Sequence, residues 1–314
     1  MATVDYVFKT VNYSAKTVNL TATVHLPKDT TSVKAIALYF HGGGYIIGSR
    51  AMLPATHIEA LNENGFIAVS SDYRLAPTIS VLDGPVSDSV TAYEWAQNEL
   101  PTLLEKEHGI LVDGKNIVTL GHSCGGGLAL LMASRPNPPK AVLDLFGFKY
   151  LRDPFYHTGT STQPQPDSLA LPSNEFINEV FNEIPPPTAA RPPFGPNGLE
   201  LSTPRQAYLI TSVRKGTQFD AIIAEDEYDL VDPERLLKTP SFPPTCFVQG
   251  TADVVVDMKF SQWAFAELQK NGVQSELYLV EGMAHGFDAK LKRGDAAFAS
   301  IQKGVEFLAR FVVG

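Results

Sequence analysis

Cysteine is almost missing from this sequence: Cys124 and Cys246 are the only two in 314 residues, which excludes a disulfide framework. Positive charge is scarce as well. With 25 Lys and Arg against 34 Asp and Glu the formal charge is −9, so no basic footprint invites a nucleic-acid partner. No apolar run approaches the roughly 18 residues of a membrane span. The opening MATVDYVFKTVNYSAK alternates in polarity and lacks the apolar core of a signal peptide, so a soluble, cytoplasmic protein is expected. Neither H-E-x-x-H nor C-x-x-C occurs, and the seven histidines show no metal-ligand spacing. A nucleotide fingerprint is missing too, because Gly42 to Gly44 and Gly125 to Gly127 are plain triplets rather than G-x-G-x-x-G. Neither a cofactor nor a metal is expected.

What is present is a rhythm of strands and helices. YVFKTVN and TVNLTATVHLP alternate with period two and predict an antiparallel pair. Strand-length apolar runs follow at 34–40, 66–74, 115–120, 140–146, 244–250 and 275–282. Between them lie helical stretches at 49–64, after Pro85, at 125–134, and around Phe260, Ala264 and Leu268. Phe298, Ile301, Val305 and Leu308 mark a C-terminal helix. Such alternation implies a mostly parallel central sheet with helices on both faces. One region breaks the rhythm. Fifteen of the 23 prolines fall between Pro154 and Pro244, so residues 149–243 read as an insertion, a cap or lid, between 1–148 and 244–314. Within it, EFINEVF and AEDEYDLVDPERLL still look helical.

The densest chemistry is LGHSCGG, residues 120–126. Gly121-His122-Ser123-Cys124-Gly125 is a G-x-S-x-G motif, and it stands between a predicted strand and a predicted helix, as a nucleophile elbow must. The glycines are needed because a Cβ two residues either side of the serine would obstruct the crossing strand and helix. A second element, His41-Gly42-Gly43-Gly44, follows a strand directly. Its backbone can turn two N–H groups toward an oxyanion, with that of Cys124 as a third. Serine needs a base. His285, in EGMAHGFD, follows the last strand, and Asp253, in QGTADVVV, follows the one before it. The order Ser123, Asp253, His285 is the one this architecture requires. His122 reads as structural, and Cys124 as lending its backbone while its side chain packs. Asp257 and Asp288 are weaker candidates for the acid, one beginning a helix and the other following the histidine too closely.

With HGGGY, SDYRLAP, GHSCGG, GTADVVV and HGF, the sequence resembles the α/β-hydrolase superfamily and, within it, the hormone-sensitive-lipase-like carboxylesterases. The resemblance covers about 34–147 and 244–312. It implies the α/β-hydrolase fold, oxyanion donors at Gly43 and Gly44, and a structural role for Asp72 and Arg74 as a buried polar pair. His122 replaces that family's usual aspartate, Cys124 its usual alanine, and Thr78 the glutamate after DYRLAP. A histidine before the serine is also similar to kynurenine formamidases.

The expected function is therefore a serine hydrolase acting on an ester, lactone or thioester of a small to medium apolar acyl substrate. Aromatic residues Phe146, Phe148, Tyr150, Phe155, Tyr156, Phe176 and Phe181 are available either as pocket wall or as core. An amidase or acyltransferase on the same triad is the alternative. A non-catalytic small-molecule receptor of this fold ranks below both, because such receptors lose the histidine that His285 supplies. The sequence leaves the oligomeric state open.

Overall fold

The structure is a computed structural model that describes residues 2–14, 16–31, 33, 35–159, 171–195 and 198–312. Eight strands build the central sheet: β1 (Ala2–Asn12), β2 (Thr17–Leu26), β3 (Ala35–Phe40), β4 (Phe66–Ser71), β5 (Ile117–His122), β6 (Val142–Leu145), β7 (Thr245–Gly250) and β8 (Ser275–Val280). Their spatial order is β1-β2-β4-β3-β5-β6-β7-β8. β1 pairs antiparallel with β2, and β2 antiparallel with β4; the other neighbours run parallel.

Period-two alternation explains why the inner strands are apolar throughout. In β3, Ile36, Leu38 and Phe40 enter the core on one face, while Ala35, Ala37 and Tyr39 enter the core on the other. One face is covered by α2 (Ser87–Asn98), α3 (Leu100–His108) and α10 (Met258–Lys270), which bury Tyr93, Leu104 and Phe260. The opposite face is covered by α1 (Ala55–Glu63) and α11 (Phe298–Ala309), which bury Ile58 and Leu61, and Phe298, Ile301, Val305 and Leu308. The four α11 residues are those of the expected apolar face, and burying each such side chain is worth about 1.5–3 kcal/mol. Helix α4 (Cys124–Leu131) follows β5 at once and is buried along its whole length.

Between β6 and β7 the chain forms α5 (Pro154–His157), α6 (Asn174–Asn178), α7 (Pro204–Lys215), α8 (Tyr228–Val231) and α9 (Glu234–Leu237). Part of the expected insertion, 160–170, lies outside the described residues. α7 is well specified locally: Thr203 and Gln206 form a reciprocal capping box, Pro204 occupies the first turn, and Gly216 closes it at φ 67°. Arg205, on its first turn, is buried and donates to the carbonyls of Ile46 and Ala76, with Glu183 as its ion-pair partner. Gly48 and Ala190 exchange backbone hydrogen bonds of 2.8 and 2.9 Å. These contacts fasten the segment between β6 and β7 to the loop that follows β3 and, at Ala76, to the stretch that follows β4.

One expectation fails here. Asp72 and Arg74 do not pair with each other. Asp72 accepts from Arg50, through the backbone N–H at 2.8 Å and through the guanidinium. Arg74 instead forks onto Asp88, with two bonds of 2.8 Å, and Lys9 reaches the same carboxylate at 2.6 Å. The two side chains are separated by one residue, so an extended backbone sends them to the same side, yet each has a better-aligned partner on another element.

Candidate active site

β5 delivers Ser123 into the turn before α4 at φ 54°, ψ −125°, a backbone conformation costly for any side chain. The surrounding glycines show why the turn closes. A Cβ on Gly121 would lie 2.1 Å from the Gly125 carbonyl oxygen, and one on Gly125 would lie 2.1 Å from that of Phe40. Ser123 is anchored by its own N–H donating to Leu145 O at 3.0 Å.

Strand ends bring the partners to it. His285, in the loop after β8, has Nε2 2.9 Å from Ser123 Oγ and Nδ1 2.8 Å from Asp253 Oδ2. Asp253, in the loop after β7, is further held by the N–H groups of Val255 and Val256, both 2.9 Å from Oδ1, and by Gln249 Nε2, 3.0 Å from Oδ2. Burial alone would raise its carboxyl, but His285 and the two amides outweigh that and hold it below the usual carboxylate range. Ser123 is 6% exposed and the His285 side chain 21% exposed. The expected serine, histidine and aspartate thus stand within hydrogen-bond reach of one another.

The HGGG loop lies against the serine: a Cβ on Gly42 would sit 3.2 Å from Ser123 Cβ. Gly43 at φ 118° and Gly44 at φ 62° adopt conformations natural only to glycine. On the far side of the loop Leu209 of α7 lies over Gly44, with Cδ1 3.0 Å from where a Cβ would be. The neighbouring Tyr45 N–H is already committed, donating to Cys124 Sγ at 3.2 Å. Cys124 Sγ is fully buried, 3.5 Å from Tyr73 OH, and burial pushes its thiol up to about 11. That sulfur props the loop; it is no nucleophile at neutral pH.

Most of the aromatics turn out to be core. Phe148, Tyr156, Phe219 and Phe260 form one cluster of edge and stacked contacts. Phe181 is 39% exposed. The ring centroid of Phe146 lies 4.9 Å from that of His285. A small cavity of about 20 Å³ beside Asp253 is lined by Tyr156, Val213, Val254 and Val255. A far larger open groove, about 590 Å³, lies across the fold between Gln269 and Arg310 and does not meet the triad.

Sequence reading missed one arrangement. Asp288 sits away from His285's nitrogens and faces His122 Nε2 at 2.5 Å and His57 Nε2 at 2.8 Å. The signals were a histidine on the buried face of α1, another before the serine, and an aspartate three residues after His285. They lie too far apart in the chain for spacing to reveal.

An eight-stranded, mostly parallel sheet whose strand ends carry these groups makes the α/β-hydrolase fold, and residues 37–165 match a family model described as alpha/beta hydrolase fold. The chain therefore has the α/β-hydrolase fold, and solved esterase structures share it. Among solved structures it is similar to a Staphylococcus aureus protein of unknown function, at TM-score 0.73 and 22% identity over 99% of this chain and 100% of that one. The propionate-bound Est2 esterase of Thermogutta terrifontis follows at TM-score 0.62 and 22% identity, covering 99% and 96%. Among curated proteins it is 30% identical to non-reducing polyketide synthase ausA of Emericella nidulans over 93% of this chain. The ausA synthase of Penicillium brasilianum is 31% identical over 93%. The chain spans about 13% of the length of these synthases. No helix among the described residues is long and apolar enough to cross a membrane.

Proposed function

We propose that this chain is a serine hydrolase that cleaves an acyl ester or thioester through an acyl-enzyme on Ser123. The observation that carries the reading is His285, with one ring nitrogen on Ser123 Oγ and the other on Asp253. The ionised Asp253 fixes the tautomer with the proton on Nδ1, leaving Nε2 free to accept the serine proton. Oγ attacks the acyl carbonyl carbon while that proton passes to His285. The negative oxygen of the tetrahedral intermediate is received by the N–H groups of Gly43, Gly44 and Cys124. Collapse expels the alcohol or thiol, protonated by His285, and water then repeats the cycle to release the acid. Residues 149–243 act as the cap, with α7 roofing the oxyanion loop through Leu209.

Two comparisons support the reading. A Thermogutta terrifontis esterase of the same fold, at TM-score 0.62, is phosphorylated by paraoxon, the behaviour of a nucleophilic active site. The likeness to a segment of polyketide synthases favours a thioester of a carrier-borne acyl chain over a free ester. A panel of matched oxyesters, thioesters and anilides tests this. Thioester and oxyester turnover that vanishes in Ser123→Ala supports it; equal turnover by Ser123→Ala, or a preference for the anilide, contradicts it.

A further inference from the structure

We propose that His57, Asp288 and His122 form a buried clamp that positions His285 against Ser123; the inference rests on the triad reading above. Across residues 281–297, the loop that carries His285, Asp288 is the single buried residue, at 1% exposure. Phe287 and Leu291 of this loop rest half-buried against the core, but its one fully buried anchor is a carboxylate.

The mooring points are specific. His122 immediately precedes Ser123, and its Nε2 donates to Asp288 Oδ2 at 2.5 Å. On the other side of that ring, Nδ1 lies 2.7 Å from Tyr39 OH, so Tyr39 donates and His122 is held in one tautomer. His57, buried on α1, brings its Nε2 to 2.8 Å from the same Asp288 oxygen, although off the line of a good hydrogen bond. Burial holds the His57 imidazole below its ordinary pKa even against Asp288, and the imidazoles keep the Asp288 carboxyl well below the usual range although burial opposes them. The carboxylate is therefore ionised, accepts a charge-assisted bond from His122 and lies against the His57 ring, so shifting the loop would break that bond in a dry site. The 2.5 Å His122–Asp288 separation suits a shared proton, and both it and the 2.8 Å approach of His57 are shorter than the spacing of two ligands about 2.0 Å from one tetrahedral zinc.

Coupling to the reacting atoms is direct. Asp288 lies three residues beyond His285, on the turn that begins with Gly286 at φ 68°. The ring of Phe146 fills the space between, stacked on His122 at 5.4 Å and 19° and set edge-on to His285 at 4.9 Å. His122 fixes the elbow, Asp288 fixes the base loop, and Phe146 is the spacer.

The test compares His122→Gln, His122→Leu and Asp288→Asn for hydrolysis of a short-chain aryl ester, with folded fraction measured by near-UV circular dichroism. Gln keeps a donor aimed at Asp288, whereas Leu keeps bulk alone. An ångström of misplacement costs up to about 10²-fold, so His122→Leu and Asp288→Asn should lose roughly 10- to 100-fold in kcat per folded molecule. KM should stay near the wild-type value in both, and His122→Gln should restore most of the rate. If His122→Leu does not fold, the near-isosteric Asp288→Asn decides alone. Folded variants with unchanged kcat, or a loss confined to KM, overturn the clamp. So does one equivalent of transition metal bound at the cluster. Ser123→Ala, run beside them, separates the two claims: full activity there defeats the triad reading itself.

Discussion

Replacing Asp253 by asparagine removes one charge and one lone-pair acceptor while keeping shape, and the surroundings dictate how the new amide must sit. Oδ1 of Asp253 faces two backbone donors, the N–H groups of Val255 and Val256 at 2.9 Å, so the amide oxygen is forced to that side. The NH2 group must then point at His285 Nδ1, where the carboxylate stood 2.8 Å away. It also meets the Gln249 amide, which cannot easily turn its oxygen toward the new group because Oε1 already accepts from Ser261 at 3.1 Å. His285 is left to accept at Nδ1 and therefore carries its proton on Nε2, aimed at Ser123 Oγ. A base that already holds the proton cannot take it. Loss of the tautomer in such triads lowers kcat by about 10⁴, which is about 5 kcal/mol in the barrier. Steady-state hydrolysis of a short-chain aryl ester, with thermal unfolding to verify the fold, gives the number. A folded Asp253→Asn protein within tenfold of wild-type kcat would refute the assignment of Asp253 as the orienting acid.

Glycine substitutions should separate the elbow from ordinary turns. Gly125→Ala places a Cβ 2.1 Å from the Phe40 carbonyl oxygen and should give no soluble folded protein, whereas Gly109→Ala, at φ 67° with nothing within 4 Å, should cost only about 1 kcal/mol in urea unfolding. Arg205→Met strips the Ile46 and Ala76 carbonyls of their donor and leaves Glu183 unpaired, so stability should drop by about 2–4 kcal/mol and KM should rise as the cap loosens over the oxyanion loop. Acid should destabilise the fold well before the carboxylates titrate. His41 is fully buried, and burial lowers its pKa from 6.5 to about 4, so its folded form binds a proton less readily than its unfolded form. The stability this contributes is complete above about 6.5 and falls as pH drops toward 4, by up to about 3 kcal/mol. Urea midpoints at pH 7.5, 6 and 5 check it, and a pH-independent midpoint contradicts it.

Local chemistry made much of this molecule legible from its sequence. Periodicity located the sheet strands, because a parallel strand buried on both faces is apolar throughout and has few alternatives. The elbow and the HGGG loop were readable because close backbone approaches leave glycine as the only solution, as the contacts at Gly121, Gly125 and Gly43 illustrate. What escaped was long-range pairing. Asp72 and Arg74 share a motif, and proximity in sequence suggested a pair that Arg50 and Asp88 win by better alignment. Asp288 reads from the sequence as a weaker candidate for the acid, and its partners at 57 and 122 gave no spacing signal. Between β6 and β7, helix α7 went unrecognised, since the prolines around it hid a capping box that depends on only two side chains.

The proposed acyl-enzyme on Ser123 is open to direct observation. Rapid quenching of the protein with an excess of a slowly deacylating aryl ester or acyl thioester, followed by peptide mass spectrometry, locates any covalent intermediate. The account expects one acyl group, on the peptide carrying Ser123, appearing with the burst of released alcohol or thiol and absent in Ser123→Ala. Turnover without that adduct, or with the acyl group on another residue, would contradict it.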